Sequence, residues 1–345
     1  MKEYLDLMGE VLQNGDPRLD RTGTGTRAVF GRRMEFDLSK GFPAMTSKKL
    51  AWKSVVSELL WFMEGSGNER RLAEIMHGKD SPKATIWTGN AEADYWKPKA
   101  KFIGDLGRVY GVQWRFWRKQ PNTLWGKIKA IFNKYETVDQ LQQLVDGLKN
   151  DPFGRRHIIS AWNPGELDQM ALPPCHMFAQ FFVEQLTPEE IQTSYLTLRE
   201  SIPSSERKVR IDTDASGKSR KNRTKTLADL EELGLPTHKL SCQMYQRSAD
   251  MFLGVPFNIA SYSLMTHMLA QVCGYAVGNF IHILGDTHIY ENHIEQTQEQ
   301  LTRKPLPLPT LKLNPNITNI LDFTMDDIEL VDYQHHEPIK AKMAV

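Results

Sequence analysis

Residues 240–290, LSCQMYQRSADMFLGVPFNIASYSLMTHMLAQVCGYAVGNFIHILGDTHIY, contain the pattern that decides the fold. Between residues 256 and 273, bulky apolar side chains recur at helical spacing and Ala or Ser fills much of the remainder, which predicts a long core helix. Residues 240–245 are strand-like, and residues 285–290 are extended if they are not a polar helix start. This arrangement predicts an α/β or α+β fold with a mixed sheet covered by helices.

The rest of the chain continues this alternation. Apolar spacing predicts helices near residues 1–14 and 50–65, and the latter carries Glu58 within its apolar run. Strands are predicted near residues 28–36, 157–162, 176–183 and 328–333. We therefore expect one domain spanning residues 1–345.

Composition restricts the class of protein. The chain is 40% hydrophobic and 25% charged, which excludes collagen-like and wholly disordered proteins. A signal peptide needs an apolar core near its start, where this sequence has the charged residues Lys2, Glu3 and Asp6. No apolar stretch is long enough to span a membrane. We therefore expect a cytoplasmic protein without a membrane partner. The net charge of +1 gives no global attraction for nucleic acid, so any anion site must be local.

One stretch departs from this balance. Residues 201–226 hold eight Lys or Arg against three Asp or Glu and few apolar side chains. This pattern indicates a solvated, mobile insertion, with a nucleic-acid-binding role as the alternative.

Cys175 lies in the sequence ALPPCH, where a double proline precedes a strand entrance. A thiol held there suits a nucleophile, although a buried small apolar side chain is the competing interpretation. The chain has three cysteines, and no two of them are spaced as CxxC. The histidines also lack the spacing of zinc ligands, so we expect no bound metal.

Three further groups suit recognition of an anionic, sugar-bearing ligand. Arg247 and Ser248 match a phosphate receptor, with a surface salt bridge as the alternative. Arg155 and Arg156 point to opposite faces of an extended chain, so both reach one anion only if the backbone turns or another subunit presents them. His288 and Tyr290 share one side of an extended segment and suit a sugar hydroxyl; the alternative is a polar helix start.

Taken together, these residues resemble the thymidylate synthase family. Ten motifs of this family occur in order over nearly the whole chain: DRTGTGT, SELLWF, GDLGxVYGxQWR, DPxxRR, SAWNPGEL, MALPPCH, YQRS, FLGxPFNIASY, GDTHIY and IKAKMAV. The resemblance is interrupted mainly near residues 121–135 and 184–239, and we take these two stretches as insertions. The resemblance implies the single-domain thymidylate synthase fold and a homodimer formed through the sheet. It also implies reductive methylation of dUMP to dTMP, with 5,10-methylenetetrahydrofolate as co-substrate and dihydrofolate as product.

The resemblance also assigns roles to residues. Cys175 would add to C6 of the uracil, while Glu58 would move protons with help from Tyr110, His176 and Gln246. Asn258 would read the uracil edge. The phosphate would be held by Arg21, Arg247 and Ser248 and by the partner subunit's Arg155 and Arg156, and the sugar by His288 and Tyr290. We expect this positive charge to favour the Cys175 thiolate.

For the folate, the resemblance implies a pterin contact from Asp250, and the other expected contacts are Lys48, Ile86, Trp87, Gly254 and Ala344. Two positions depart from the family pattern: Thr88 stands where the family usually has Asp, and Leu284 stands where it usually has Gly. These departures leave open a dUMP hydroxymethyltransferase, in which water instead of hydride completes the reaction.

Overall fold

The structure is a computed structural model of the chain, and it describes every residue except 21, 22, 122, 125, 127, 129–134, 205, 208–210, 217, 221–223 and 343–345. Its strands are β1 (Asp16–Arg18), β2 (Thr26–Asp37), β3 (Trp117–Arg118), β4 (Thr137–Val138), β5 (Ile158–Ser160), β6 (His176–Gln185), β7 (His238–Asp250), β8 (Ala276–Tyr290), β9 (Thr310–Leu313) and β10 (Ile328–Val331). The α-helices span Lys2–Asn14, Trp52–Glu64, Glu69–His77, Thr88–Ala91, Tyr110–Phe116, Gln140–Asn150, Pro188–Ser201, Leu227–Glu232, Gly254–Cys273 and Ile294–Leu301.

A six-stranded mixed sheet in the order β1-β2-β8-β7-β6-β5 forms the centre. β7 and β8 are parallel, whereas the other neighbouring pairs in this sheet are antiparallel. Two parallel strands need a crossover connection, and the helix Gly254–Cys273 supplies it. This helix is buried on most of its circumference, which matches its lack of a polar face. The predicted mixed α/β fold is confirmed.

Most predicted elements occur close to their expected bounds. The helices near 1–14, 50–65 and 256–273 are confirmed, and so are the strands near 28–36, 176–183 and 328–333. Gly65 ends the second of these helices in the left-handed conformation, where an added Cβ would lie 2.7 Å from the Cβ of Arg115. The predicted strand 157–162 is reduced to β5, and β7 continues through Asp250 because its pairing with β8 extends to His288.

The segment between β6 and β7 has a small apolar core of its own, consisting of Leu186, Ile191, Tyr195, Ile211 and Leu230. Arg220 is buried beside it and forms an ion pair with Asp229, and the Lys225 ammonium lies 4.5 Å from the centre of the Tyr195 ring. The expectation that residues 201–226 are solvated is therefore wrong for Ile211, Arg220 and Lys225. Their charges and apolar groups are used in local packing, which counting charges does not reveal.

Among the described residues, no helix is both long and apolar enough to cross a membrane. The same residues contain no cluster of three or more His, Cys, Asp or Glu side chains arranged to hold a metal ion.

Candidate active site

A cavity of about 590 Å³ opens where β6, β7 and β8 approach the segment after β1. Its lining brings together five residues chosen from the sequence: Cys175, Arg247, Ser248, His288 and Tyr290. The volume suits a small ligand. The rest of its lining is Arg18, Leu19, Asp20, Thr26, Gly89, Asn90, Ala93, Tyr95, Leu172, Pro173 and Asp286.

Cys175 immediately precedes β6, so the thiol lies at a strand entrance as the sequence predicts. The Arg247 guanidinium fixes the double proline by donating through Nε to the Pro174 carbonyl and through Nη2 to the Pro173 carbonyl, both at 2.9 Å. The backbone N–H of Arg247 donates to the Cys175 carbonyl at 2.8 Å. One arginine therefore sets both the turn and the position of the thiol.

Opposing effects act on the pKa of the Cys175 thiol. Burial raises this pKa, whereas the nearby Arg247 cation and the Tyr110 hydroxyl lower it, and burial outweighs them. The Arg247 cation therefore acts in the direction that the sequence predicts, toward the thiolate. The effects of Arg21, which lies outside the described residues, and of the partner subunit's Arg155 and Arg156 stay predictions.

Aromatic side chains lie beneath the thiol. Tyr110 and His176 stack with ring centres 4.2 Å apart, and Nδ1 of His176 lies 2.8 Å from the Tyr262 hydroxyl. Burial lowers the pKa of His176 to about 3 and raises that of Tyr110 well above its usual range. These two rings are therefore neutral near pH 7.

Glu58 lies on the helix Trp52–Glu64 and accepts a 2.7 Å hydrogen bond from the indole N–H of Trp87. Burial raises the pKa of Glu58 to about 7, while the Trp87 hydrogen bond acts in the opposite direction. A carboxyl group in this state exchanges protons readily near neutral pH.

Gln246 is held by hydrogen bonds in the sheet. Its Oε1 lies 2.9 Å from Nε2 of His282, and its Nε2 donates to the Ser248 carbonyl at 2.9 Å. These two bonds fix the orientation of the amide and connect it to the backbone of a cavity residue.

His288 and Tyr290 occupy β8, so the extended interpretation is confirmed and the alternative helix start is wrong. Nδ1 of His288 lies 2.8 Å from Oδ1 of Asp286, whose other oxygen is 4.0 Å from the Arg18 guanidinium. The bond to Asp286 orients the imidazole ring at the cavity wall.

Asn258, Asp250 and Gly254 cluster at the start of the helix Gly254–Cys273. Oδ1 of Asp250 accepts from the N–H groups of Phe252 and Leu253, and a Cβ on Gly254 would lie 3.7 Å from the Asp250 Cβ and 3.8 Å from the Asn258 Oδ1. The Asn258 amide has no hydrogen-bond partner among the described residues. A donor, an acceptor and a carboxylate oxygen are thus available side by side.

Of the expected folate contacts, Trp87 is buried, whereas Ile86 is half exposed. Lys48 is buried, and its ammonium donates to the Phe252 carbonyl at 2.6 Å and lies 3.3 Å from the centre of the Phe252 ring. Burial lowers the pKa of Lys48 to about 7. Lys48 thus lies beside the Asp250 loop and is directed inward in this conformation.

Many expected residues are not part of this cavity's lining. Those described above that are absent from it are Glu58, Tyr110, His176, Gln246, Asn258, Asp250, Gly254, Lys48, Ile86 and Trp87. Arg155 and Arg156 are exposed and line a separate cavity of about 450 Å³ with Phe153 and His157. Arg21 and Ala344 lie outside the described residues.

The two departures from the family pattern have different environments. Leu284 is fully buried in the main core and is not part of the cavity lining. The Thr88 hydroxyl donates to Oε1 of the buried Glu69 at 2.6 Å.

Sequence reasoning missed Arg18, Asp286, Tyr95 and Glu69. Asp286 precedes His288 by two residues and therefore shares its side of the strand, which is a usable signal. Arg18 precedes the DRTGTGT motif by two residues, which is a usable signal. Tyr95 and Glu69 carry no local pattern that indicates a site.

A positioned thiol, a guanidinium and a histidine–tyrosine pair around one cavity are groups that suit binding of a small anionic, hydroxyl-bearing ligand and nucleophilic chemistry by a cysteine. The family model described as thymidylate synthase matches residues 2–199 and 222–345. The chain belongs to the thymidylate synthase family. Members use dUMP and methylenetetrahydrofolate in methyl transfer for dTMP synthesis, and residues 200–221 lie outside the match.

Proposed function

We propose that this protein is a thymidylate synthase that converts dUMP to dTMP and 5,10-methylenetetrahydrofolate to dihydrofolate. The observation that carries the proposal is the single cavity that joins Cys175 to Arg247, Ser248, His288 and Tyr290. A nucleotide has three parts, and this lining offers Cys175 for the base, Arg247 and Ser248 for the phosphate, and His288 and Tyr290 for the sugar.

The phosphate is bound by Arg247 and the Ser248 hydroxyl. Nε and Nη2 of Arg247 already hold the proline carbonyls, so its remaining Nη1 and its charge face the anion. Arg18 adds a second cation to the same lining, and we include Arg21 as a further ligand. His288 and Tyr290 bind the sugar hydroxyl.

The thiolate of Cys175 adds to C6 of the uracil. The new S–C bond uses the electron pair of the thiolate, the C5=C6 double bond opens, and C5 becomes nucleophilic. Because burial raises the pKa of Cys175, the thiol carries its proton before the nucleotide binds. This proton passes to solvent water when the S–C bond forms, and the S–C bond breaks again when the product is released. Asn258 pairs with N3–H and O4 of the base and thereby stabilises the negative charge that addition places on O4.

Glu58 holds the proton that O4 and the folate exchange during the reaction. Its pKa of about 7 lets it donate and accept at neutral pH. Ordered water carries the proton, and Tyr110, His176 and Gln246 assist as neutral hydrogen-bonding groups that orient this water.

The residues around Asp250 fit a pterin. Asp250 keeps Oδ2 for a ligand because Oδ1 is held by the backbone, and Gly254 leaves space beside it. Trp87 and Ile86 supply apolar contacts to the folate, and Lys48 and Ala344 complete the folate site. The bound folate supplies the one-carbon unit and the hydride. Closure of the C-terminal segment then excludes water.

The enzyme acts as a homodimer that joins through the uncovered face of the sheet. The helix Gly254–Cys273 packs on β7 and β8 on one side, whereas the other side presents Phe178, Phe182 and Tyr245. The Phe182 side chain is 59% exposed. Exposed apolar surface of this kind on a sheet is typical of a protein–protein interface. Arg155 and Arg156 from the partner subunit complete the phosphate site and add to the positive charge of Arg18 and Arg247.

Replacement of Cys175 by Ala tests the proposal. Calorimetric titration should show dUMP binding within about threefold of the wild type, because the arginine, amide and sugar contacts remain. Turnover to dTMP should be lost. Normal turnover by this variant would exclude the mechanism, and Cys273→Ala serves as the control because Cys273 lies outside the cavity lining.

A further inference from the structure

Glu69 is a buried carboxylate with an unusually complete set of partners. It begins the helix Glu69–His77 and is 2% exposed. Its Oε1 accepts from Thr85 Oγ1 at 2.7 Å, from Thr88 Oγ1 at 2.6 Å and from Arg70 Nη2 at 2.7 Å, while its Oε2 accepts from Arg70 Nε at 2.6 Å. A buried charge needs such pairing to be tolerated.

The two threonines flank Trp87 on both sides. The Trp87 backbone N–H donates to Thr85 Oγ1 at 3.1 Å, and the Thr85 backbone N–H donates to Thr88 Oγ1 at 2.8 Å. Each hydroxyl therefore donates to Glu69 and accepts from the backbone of this turn. The carboxylate fixes the turn from which the Trp87 indole extends.

The indole then contacts the proton-carrying group. Trp87 Nε1 donates to Oε1 of Glu58 at 2.7 Å. Its ring packs against Trp61, Phe62 and Tyr110, with ring centres 5.8, 6.4 and 5.8 Å away. Continuous contacts thus join Glu69 to Glu58 through the Thr85–Thr88 turn and Trp87.

We propose that Glu69 is a positioning residue that holds Trp87 against Glu58 and so sets the geometry of proton transfer in the active site. The proposal rests on the proposed function for its kinetic part only. Glu69 is not one of the cavity-lining residues and has no hydrogen bond to Glu58 among the described residues, so it acts through Trp87. The arrangement also gives Thr88, which stands where the family usually has Asp, a hydrogen-bond partner, because its hydroxyl donates to the Glu69 carboxylate of the neighbouring helix.

A comparison of two Glu69 variants tests this proposal. Glu69→Ala removes every acceptor, whereas Glu69→Gln keeps an oxygen that can accept from both threonines while it loses the ion pair with Arg70. Glu64→Ala is the matched control, because Glu64 pairs with Arg71 at the surface and has no contact with Trp87 among the described residues.

The direct readout is the indole N–H signal of Trp87 in ¹⁵N NMR of the intact protein, assigned by its loss in Trp87→Phe. We expect a clear shift or broadening of this signal in Glu69→Ala, a near-native position in Glu69→Gln and no change in Glu64→Ala. An unchanged signal in Glu69→Ala would overturn the proposal, and this test needs no enzymatic activity.

Kinetics then separate positioning from general destabilisation. Glu69→Ala should lose roughly tenfold to a hundredfold in kcat, because a misplaced proton carrier slows the chemical step, with dUMP affinity within about twofold of the wild type. Glu69→Gln should recover most of kcat. Equal loss of kcat in both variants, or a loss of dUMP affinity that matches the loss of kcat, would contradict a positioning role. Absence of thymidylate synthesis by the wild type would contradict the proposed function. The NMR experiment would then still show whether Glu69 holds the Trp87 indole in place.

Discussion

The Tyr110 hydroxyl oxygen accepts a 2.7 Å hydrogen bond from the backbone N–H of Cys175. Tyr110 itself has a backbone φ of +21°, which a bulky side chain rarely adopts. Strain of this kind persists where the surrounding structure enforces it, commonly at functional sites. The phenol thus holds the backbone of Cys175, the proposed nucleophile, although the backbone of Tyr110 is strained.

Tyr110→Phe removes that acceptor and leaves the buried N–H of Cys175 unpaired. We expect a loss of about 1–3 kcal/mol in the free energy of unfolding, together with slower turnover. Urea denaturation and steady-state kinetics measure both quantities. Wild-type values for both would show that the hydrogen bond does not position the thiol.

Glu58→Gln tests the raised pKa of the buried carboxyl group. Because the pKa is near 4.5 in the unfolded chain and about 7 in the folded state, the folded protein binds more protons between these values. Glu58 therefore makes the wild type less stable as pH rises through this window, by up to about 3 kcal/mol. We expect the stability of Glu58→Gln relative to the wild type to rise between pH 5 and pH 8 in urea titrations. A constant difference between the variant and the wild type over this pH range would contradict the raised pKa.

Asn258→Asp should change base preference. A protonated or ionised carboxyl group accepts from the amino group of cytosine, whereas the asparagine amide matches N3–H and O4 of uracil. The ratio of kcat/KM for dUMP to that for dCMP should fall by at least roughly tenfold. An unchanged ratio would show that Asn258 does not contact the base.

Mixed dimers test the shared phosphate site. Cys175→Ala and the double variant Arg155→Ala/Arg156→Ala should each be nearly inactive. Subunit exchange between them should restore activity to roughly a quarter of the wild-type value, since half of the dimers are then mixed and each contains one intact site. No recovery after verified exchange would show that the arginines do not act across the dimer.

Sequence reasoning predicts the main elements because their signals are local. The apolar pattern between residues 256 and 273 and the strand entrance at Cys175 depend on nearby residues only, and both are confirmed. The ordered motifs also predicted the family, which the match over most of the chain confirms.

Other features depend on contacts between distant residues, so the sequence did not reveal them. The net shift of the Cys175 pKa is upward because burial outweighs the opposing effect of Arg247, and the arginines visible in the sequence do not reveal that burial. Glu69 is separated from Thr85 and Thr88 by 16 and 19 positions, and its role is visible only when the turn folds onto it. Arg220 is a charged residue in a basic stretch, yet its ion pair with Asp229 is buried.

The fate of the one-carbon unit is the central claim, and simultaneous quantification of both products tests it most directly. The enzyme is incubated with dUMP and 5,10-methylenetetrahydrofolate, and nucleotides and folates are measured by mass spectrometry in the same samples. The account predicts dTMP and dihydrofolate in a one-to-one ratio, because closure of the site excludes water before hydride transfer. Formation of hydroxymethyl-dUMP with tetrahydrofolate would contradict it and identify a hydroxymethyltransferase instead.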